Sequence, residues 1–311
     1  MILNELAISV RGLQKSYKSK SVLNDVNFEV ERGIIYSLLG SNGAGKTTTI
    51  KILTTLIKPD FGELRVCNYD VTKEATKVHN VISLTGQYAS VDESLTGLEN
   101  LMLIGKLNHI NNPKKRANEL LDYFNLMDSA NRFVSTYSGG MRRKLDIAMS
   151  LVNQPEIIFL DEPTTGLDPQ SRHGMWNIIK DLKNSGVTIF LTTQYLEEAE
   201  QLADKIGILD KGSIIVEGTP MELKSMLPQG IVEFTFANKA GFELALTLTR
   251  DYRVTPVSEE NKLAIFTDGS VDILAQIFQK FTSNGLELKE FSQKIPTLEE
   301  VFLTLIGEKE D

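Results

Sequence analysis

Long apolar runs are missing from this 311-residue sequence. A helix that spans a bilayer needs about 18 or more consecutive apolar residues, and no stretch of that length occurs. The sequence therefore predicts no membrane-spanning helix, and a role at a membrane would require another chain to supply the spans. The start, MILNELAISVRG, also lacks the basic region and apolar run of a signal peptide. We therefore expect the protein to remain in the cytosol.

Cysteine and positive charge are also scarce. The single cysteine, Cys67, excludes an internal disulfide, and its place in the strand-like segment ELRVC predicts a small buried side chain. The 41 acidic and 33 basic residues give a net charge of −8, which argues against general binding to nucleic acid or to anionic lipid. A hydrophobic fraction of 41% is sufficient for a sizeable core, and the length suits two domains.

The order of strand-like and helix-like segments predicts a mainly parallel α/β domain over residues 1–227. Residues 1–30 alternate as short strands, and buried-type strands follow at IIYSLLG, EIIFLDE and GVTIFLTT. Helical patterns separate these strands, including one that begins near Lys46 and a predicted helical subdomain over about residues 88–155. Alternation of strand and helix is typical of a parallel sheet.

A second pattern starts after the break PQG at residues 228–230. Its predicted order is strand, helix, two strands, helix, strand, and a final helix that Thr297 and Glu300 cap. Two β–α–β units of similar size indicate a small ferredoxin-like α+β domain over residues 228–311. This segment carries no catalytic motif, so its role in dimerisation, in regulation or in stability alone stays open.

The segment GSNGAGKT matches the phosphate-binding pattern G-x-x-x-x-G-K-[ST] between a predicted strand and a predicted helix. Its glycines let backbone N–H groups turn toward phosphate oxygens, and the helix N-terminus adds partial positive charge. Lys46 supplies a full charge for the β- and γ-phosphates, and the Thr47 hydroxyl can ligate Mg²⁺. The predicted nucleotide contacts are Gly40, Ser41, Asn42, Gly43, Ala44, Gly45, Lys46 and Thr47.

The segment IIFLDE places two acids directly after four apolar residues. A buried strand would deliver Asp161 and Glu162 to its carboxyl end, where α/β sheets bind ligands. Asp161 is predicted to hold Mg²⁺, directly or through water, and Glu162 to polarise an attacking water. Two acids at a strand end can also be no more than a helix cap, but the phosphate loop in the same chain favours the catalytic interpretation.

The segment TYSGGMRRKLDIA predicts a further helix with an open N-terminus. Ser138 can cap this helix, while Gly139 and Gly140 leave two N–H groups available to an anion. The cations at residues 142–144 then crowd the first turn, against the helix dipole. Either a bound anion offsets this cost or the cations form a solvated face paired with acids, and the residues alone leave both possibilities open.

Taken together, these segments resemble the ATP-binding subunits of ABC transporters. YSGGM stands at the family's signature, GSNGAGKTT, which ends at Thr48, at its phosphate loop, and IIFLDEPTTGLD at its magnesium and base segment. The resemblance covers about residues 5–220, and YSGGMRR, TTQYLEEA and PTLEEVFLTLIG are similar to the daunorubicin-resistance type of drug-exporter ATPase. It implies a P-loop NTPase fold of the ABC type and an ATP hydrolase that uses ATP and Mg²⁺.

The resemblance also assigns roles to residues that are uninformative in isolation. Tyr17 would stack on adenine, Gln87 would contact nucleotide and Mg²⁺ at the family's glutamine loop, and Asp168 would lie at its aspartate loop. In this family two ATPase domains pack head to tail. Each ATP then lies between the phosphate loop of one chain and the signature, residues 138–140, of the other.

The same resemblance implies two protein partners and a location. One partner is a second ATPase subunit, identical or paralogous, and the other is a polytopic membrane permease that docks on the helical region 88–135. The implied location is the cytoplasmic face of the cell membrane, as a peripheral subunit. No nucleic-acid partner is expected.

Gln194 in FLTTQYLEEAE follows directly after an apolar strand. Most of the wider family has histidine at this place, where it hydrogen-bonds the γ-phosphate. Glutamine can donate from its amide but has no titratable proton, so we expect a catalytic helper that forms a neutral hydrogen bond and leaves Glu162 as the general base. The alternative is that Gln194 only helps to cap the following helix in a degenerate site.

The leading functional hypothesis is an ATPase that powers export of a small molecule, drug or lipid through a separate permease. A soluble ABC-type switch acting on protein or nucleic-acid partners is the alternative, but such proteins usually fuse two ATPase units or insert long coiled coils. This chain has one set of motifs and no sustained heptads. A degenerate regulatory nucleotide sensor is a third possibility, against which the retained Lys46, Asp161 and Glu162 argue.

Overall fold

The structure, a computed structural model, describes residues 6–87, 89–227, 230–294 and 296–307. The chain forms two compact units, Met1–Pro220 and Met221–Asp311. This division falls earlier than the predicted domain boundary at residue 227. Residues 228 and 229 of the predicted PQG break lie outside the described residues, so the functional boundary at 227 stays a prediction.

Strands and helices alternate along the chain much as the sequence pattern predicts. In chain order the strands are β1 (Leu6–Tyr17), β2 (Lys20–Glu31), β3 (Ile35–Leu39), β4 (Phe61–Val66), β5 (Tyr69–Asp70), β6 (Ile82–Thr85), β7 (Ile157–Asp161), β8 (Thr188–Thr193), β9 (Lys205–Asp210), β10 (Ser213–Gly218), β11 (Gly230–Phe236), β12 (Arg253–Val257), β13 (Lys262–Thr267) and β14 (Leu288–Lys294). The helices are α1 (Lys46–Leu53), α2 (Ala75–Val81), α3 (Gly97–Leu107), α4 (Pro113–Tyr123), α5 (Gly139–Ser150), α6 (Pro169–Asn184), α7 (Leu196–Leu202), α8 (Pro220–Ser225), α9 (Lys239–Leu248), α10 (Val271–Ser283) and α11 (Leu298–Gly307).

A six-stranded sheet in the order β10-β9-β3-β8-β7-β6 forms the centre of the first unit. All neighbouring pairs are parallel except β10 with β9, which confirms the predicted, mainly parallel sheet. Every residue of β3, β7 and β8 is buried, as expected for strands covered on both faces. The carboxyl ends of these adjacent strands lie side by side, directly before Gly40, Glu162 and Gln194.

A second, four-stranded sheet in the order β2-β1-β4-β5 is antiparallel. The prediction of short strands over residues 1–30 is wrong, because β1 and β2 are each 12 residues long. Several register shifts interrupt their pairing. Such irregularities locally break the inward and outward alternation of side chains, so one long bent strand has the pattern of several short ones.

Cys67 lies just past β4 in a turn, so its predicted position within a strand is wrong. Its backbone has a φ of +47°, in the left-handed region. The predicted burial is confirmed. Burial, reinforced by nearby Glu156, raises the pKa of the Cys67 thiol to about 11, so the side chain remains a neutral thiol at neutral pH.

The helices α3, α4 and α5 lie between β6 and β7 in the sequence and share one hydrophobic cluster with the sheet. The predicted capping box of α3 is confirmed: Thr96 Oγ1 accepts from the Glu99 backbone N–H at 3.2 Å, and Glu99 Oε2 accepts from the Thr96 N–H at 2.8 Å. Such a box satisfies two backbone donors at a helix start. Leu101, Leu121 and Leu145 contribute buried faces of the three helices.

The second unit has the predicted ferredoxin-like arrangement. Its antiparallel sheet has the order β12-β13-β11-β14, with α9 and α10 in the β–α–β–β–α–β connections. Along β11, Val232, Phe234 and Phe236 are buried and alternate with half-buried residues. Phe281 of α10 packs edge-to-face on Phe234 and Phe236, with ring centroids 5.1 and 5.5 Å away. These contacts give the unit its own core.

Among the helices of the described residues, none combines the length and the apolar character needed to cross a bilayer.

Candidate nucleotide-binding site

Glycine is required at two positions of the loop between β3 and α1. A Cβ on Gly40 would lie 2.4 Å from the Leu209 carbonyl oxygen, closer than any real contact. Gly45 has a φ of +116°, and a Cβ there would lie 2.5 Å from Leu23 Cδ2 and 3.1 Å from the Val22 carbonyl oxygen. The loop therefore packs tightly against β2 and β9, and only glycine permits this approach and this backbone conformation.

Lys46, the first residue of α1, is buried, with 4% of its surface exposed. Its Nζ donates to the carbonyl oxygens of Gly40 at 2.7 Å and Ser41 at 3.1 Å, and lies 3.3 Å from Glu162 Oε1. A buried ammonium needs such partners to offset its lost hydration. The loop carbonyls and one carboxylate thus hold the charge at the N-terminus of α1.

Asp161, the last residue of β7, meets two hydroxyl groups. Its Oδ1 accepts from Thr192 Oγ1 at 2.5 Å and from Thr47 Oγ1 at 3.3 Å. A carboxylate beside a hydroxyl matches the oxygen ligands that Mg²⁺ prefers. The described ranges contain no cluster of three or more His, Cys, Asp or Glu that could hold a metal ion.

Glu162 connects three segments of the site. Its Oε2 accepts from Gln87 Nε2 at 3.3 Å and from Thr165 Oγ1 at 3.2 Å, while Oε1 lies near Lys46. Its φ of +48° is unusual for a residue with a side chain. Backbone strain of this kind often marks functional sites. The strained turn directs the chain away from β7 immediately after Asp161 and brings the Glu162 carboxylate to Lys46 and Gln87.

The signature residues form a second group with the aspartate loop. Ser138 is the N-cap of α5, because its hydroxyl accepts from the Met141 N–H at 3.2 Å. A Cβ on Gly140 would lie 2.9 Å from Ser171 Oγ. That hydroxyl donates to Asp168 Oδ2 at 2.6 Å, and the Ser171 N–H donates to Asp168 Oδ1 at 2.9 Å. These bonds lower the pKa of the Asp168 carboxyl below its ordinary value.

The two groups are separate within one chain. In the part of the chain that the structure describes, no hydrogen bond or ion pair joins Ser138, Gly140 or Asp168 to Lys46 or Glu162. Both Ser138 and Gly139 are exposed, and a Cβ on Gly139 would meet nothing within 4 Å. The N-terminus of α5 therefore faces open space.

A cavity of about 340 Å³ adjoins the phosphate loop. Its lining includes Gln87 and Glu162, and two residues of β2 that sequence reasoning missed, Lys20 and Val22. The remaining lining residues come from the loop and α1: Asn42, Gly43, Gly45, Lys46, Thr47 and Thr48. Tyr17 is not among the lining residues; it lies at the end of β1, 47% exposed, with Lys15 Nζ 5.6 Å from its ring centroid.

Gln194 follows Thr193, the last residue of β8, and is half-buried. The Thr193 carbonyl oxygen accepts from the Gly40 N–H at 3.2 Å. Gln194 therefore directly follows a residue that is hydrogen-bonded to the phosphate loop. The Thr193 hydroxyl accepts from the Tyr195 N–H at 2.9 Å. Tyr195 is the N-cap of α7, and the described residues provide no side-chain cap hydrogen bond there. The capping alternative for Gln194 has no contact in its support.

Two cations near the start of α5, Arg142 and Arg143, differ in their surroundings. Arg142 pairs with Glu93 and donates to the Tyr137 carbonyl oxygen at 3.0 Å, which fits a basic face paired with acids. Arg143 instead points inward, is 5% exposed, and lies 3.2 Å from Asp146 Oδ2. The sequence signal for this buried pair was an acid three residues after an arginine, the spacing that brings helix side chains together.

Comparison with known proteins extends the match beyond the motifs. A family model described as ABC transporter matches residues 23–165. The daunorubicin/doxorubicin resistance ATP-binding protein DrrA of Streptomyces peucetius is 44% identical over 316 residues, covering 98% of this chain and 94% of that protein. The linearmycin resistance ATP-binding protein LnrL of Bacillus subtilis (strain 168) is 34% identical over 305 residues, covering 96% and 98%.

A solved structure shows the same fold. It is a dimeric ATP-binding cassette in a post-hydrolysis state with ADP and Pi, which is 28% identical, has a TM-score of 0.62, and covers 68% of this chain and 98% of that one. The similarity to DrrA extends over nearly the full length of both chains. The chain therefore belongs to the ABC transporter family, as an ATP-binding subunit that hydrolyses ATP.

Proposed function

We propose that this chain powers export of a small molecule, drug or lipid through a separate membrane permease. The relatives named above are resistance ATP-binding proteins, which supports an export role for a chain so similar to them. In this proposal the chain is a peripheral subunit at the cytoplasmic face of the cell membrane. A homodimer or a paralogous heterodimer of ATPase subunits provides the energy.

One observation carries the ATPase part of the proposal. Side chains from three segments far apart in the sequence meet within hydrogen-bonding distance beside the phosphate loop. They are Lys46, Thr47, Gln87, Asp161 and Glu162. An ammonium, two hard oxygen ligands, a carboxylate base and an amide donor are the groups that phosphoryl transfer to water requires.

Each of these residues has a role in the proposal. The Lys46 ammonium exchanges its loop carbonyls for β- and γ-phosphate oxygens, to which it supplies charge. Thr47, Asp161 and Gln87 would hold Mg²⁺, which when bound would neutralise phosphate charge. Glu162 accepts the proton of the attacking water. Tyr17 comes shortly before Lys20 in the sequence, and Lys20 lines the cavity. We assign Tyr17 to stack on adenine.

The second half of each site comes from the other subunit. The N-terminus of α5, a helix of 12 residues, has the capping serine and glycines of an anion site. Among the described residues, however, no hydrogen bond joins it to Lys46 or Glu162. A two-fold axis would bring two such helices onto two phosphate loops and form two identical sites. Asp168, adjacent to the signature through Ser171, would lie at the same seam.

The permease is proposed to dock on the helical region 88–135. That region exposes large apolar side chains on its surface, Leu103, Leu107, Met127 and Phe133. A cavity of about 420 Å³ lies nearby, between β6 and the helices α3 and α5. Exposed apolar surface beside a cavity is typical of a protein-binding surface.

Glu162→Gln tests the proposed site directly. The variant keeps a neutral group of the same shape, so we expect it to bind ATP, to lose hydrolysis, and to accumulate as a closed dimer with MgATP. Size-exclusion chromatography with light scattering, together with a steady-state ATPase assay, measures these outcomes. Lys46→Ala with MgATP is the control and should stay monomeric, whereas hydrolysis by Glu162→Gln at the wild-type rate would refute the assignment of the base.

A further inference from the structure

Gln87 is held from both sides by two residues of α5. The Gly86 carbonyl oxygen, directly before Gln87, accepts from Arg143 Nη1 at 2.6 Å. The Ser90 N–H, shortly after it, donates to Asp146 Oδ1 at 3.0 Å. Both anchors of this segment therefore depend on one buried pair, which is closed by the 3.2 Å contact between Arg143 Nη1 and Asp146 Oδ2.

The same guanidinium also holds the end of β7. Arg143 Nε donates to the Pro163 carbonyl oxygen at 2.9 Å, and Nη2 lies 3.4 Å from the Asp161 carbonyl oxygen. These two carbonyls flank Glu162 in the sequence. Arg143 therefore contacts the backbone on either side of Glu162 and the backbone that leads into Gln87, while Gln87 Nε2 and Glu162 Oε2 lie 3.3 Å apart.

We propose that Arg143 and Asp146 form a positioning pair that fixes the Gln87 segment against the end of β7 and so sets the geometry of Gln87 and Glu162 for hydrolysis. This inference rests on the proposed function, because it deals with side chains of the same site. In this proposal neither residue contacts the nucleotide. Both act through the backbone that they hold.

The chemistry of the pair fits positioning better than stability. Arg143 and Asp146 are both about 5% exposed, and burial lowers the pKa of Arg143 and raises that of Asp146. Because both charges lose their hydration, a protein with an apolar pair of similar volume at these positions would often be as stable as one with the ion pair. What an apolar pair lacks is the planar fork of donors, which reaches several carbonyls at fixed angles.

Lysine is a poor substitute for Arg143 for the same reason. Its ammonium is a point charge on a flexible stem and cannot reach three carbonyls and a carboxylate in a fixed plane. Asparagine at position 146 would keep an oxygen for Ser90 but would turn amide hydrogens toward the guanidinium. Each change keeps much of the side-chain volume and removes some of the hydrogen bonds that hold the Gln87 segment and the end of β7.

The test measures ATP turnover and ATP binding separately in the full chain. The variants are Arg143→Gln, Arg143→Lys, Asp146→Asn and the double variant Arg143→Gln/Asp146→Asn. Arg65→Gln is the control, because Arg65 on β4 also donates to a backbone carbonyl, that of Asn68 at 2.9 Å, outside both the site and the proposed docking region. Steady-state kcat and KM, the Kd of a fluorescent ATP analogue and the Tm are measured for each.

We expect kcat to fall about 10- to 100-fold in Arg143→Gln, since small misplacements of catalytic groups have costs of this size. The Kd for the analogue should change less than about 3-fold, because the phosphate loop is untouched, and the control should stay within about 2-fold in kcat. The double variant should be no slower than the slower single variant, since residues that act as one unit are not additive.

Wild-type kcat in Arg143→Gln and Asp146→Asn would overturn the inference. So would a kcat that falls only in proportion to the folded fraction, or effects that multiply in the double variant. If Arg143→Gln does not fold, Arg143→Lys and Asp146→Asn provide the test instead. Wild-type kcat in both of these variants would overturn the proposal that the pair positions Gln87 and Glu162. Failure of the proposed function is distinct, because it would appear as an active Glu162→Gln variant or as an inactive wild type.

Discussion

At the residue scale, we propose that Gln194 provides a neutral hydrogen-bond donor at a place where we expect most of the family to have histidine. It lies one residue past Thr193, whose carbonyl accepts from Gly40 at the phosphate loop. Its amide can donate to a γ-phosphate oxygen without changing charge. In the proposed function, Glu162 then accepts the proton, and its carboxylate lies 3.3 Å from both Lys46 Nζ and Gln87 Nε2.

Gln194→Ala should lower kcat by about 10- to 100-fold, because a hydrogen bond to a charged group contributes roughly 1.5–3 kcal/mol. Gln194→His should retain much of the activity, since a ring N–H replaces the amide donor. A steady-state ATPase assay with MgATP measures both. Equal turnover in wild type and the alanine variant would show that the residue has no part in hydrolysis.

Gly45 gives a residue-scale prediction about the shape of the loop. Gly45→Ala would place a Cβ 2.5 Å from Leu23 Cδ2 in a left-handed conformation, so we expect a loss of about 1–3 kcal/mol in the free energy of unfolding and weaker ATP binding. Chemical denaturation and nucleotide titration measure this. Gly174→Ala is the control, because a Cβ there meets nothing within 4 Å inside α6, and a similar loss in both variants would contradict the steric argument.

The sequence predicts the residues of the site whose chemistry follows from a local motif. Lys46 and Glu162 are examples, since each follows a buried strand at a fixed offset. Arg143 is not predictable in this way, because a cation near the start of a helix, next to two other cations, suggests exposure to solvent. Its burial depends on the carbonyls of Gly86 and Pro163, which come from segments remote in the sequence.

At the element scale, the carboxyl ends of parallel strands determine where the site lies. β3, β8 and β7 are neighbours in the sheet, so the phosphate loop, Gln194 and Glu162 all follow adjacent strands. The sequence predicts this because fully buried strands have distinct apolar runs. The length of β1 and β2 was missed because register shifts break their alternation.

Ser138→Ala separates the structural and functional roles of the α5 N-terminus. Loss of the cap should lower the free energy of unfolding by about 1 kcal/mol, and loss of the hydroxyl should also weaken the MgATP-dependent dimer in the Glu162→Gln background. Thr96→Ala removes the equivalent cap of α3 and should cost similar stability without affecting the dimer. Denaturation curves and light scattering measure the two effects, and equal dimer loss in both variants would assign Ser138 a capping role alone.

At the scale of the whole molecule, the first unit contains the two proposed half-sites, and no hydrogen bond or ion pair joins them in the part of the chain that the structure describes. One half is the phosphate loop with Asp161, Glu162 and Gln87, and the other is the N-terminus of α5. Each motif is readable from the sequence, but their separation is not, because it depends on how the sheet and the helices pack. The proposed head-to-tail dimer would bring each half-site of one chain to the other half-site of its partner.

The second unit illustrates the limit of prediction at this scale. Its alternating pattern of strands and helices gives the ferredoxin-like fold, and Phe234, Phe236 and Phe281 form its core. Its sequence has no motif that binds nucleotide. The fold can be predicted from the spacing of apolar residues along the sequence. A role in dimerisation or regulation depends instead on the exposed surface of the unit, which that spacing does not describe.

The most direct test of the account is a disulfide cross-link between differently tagged copies. One copy carries Ser41→Cys at the phosphate loop and the other Ser138→Cys at the signature, both exposed positions, in the Glu162→Gln background. Copies that contain only the buried native Cys67 are the control. We expect a cross-link between the two tags at saturating MgATP and little without nucleotide. No such cross-link with MgATP, or one that forms equally without it, would contradict an ATP held between the two subunits.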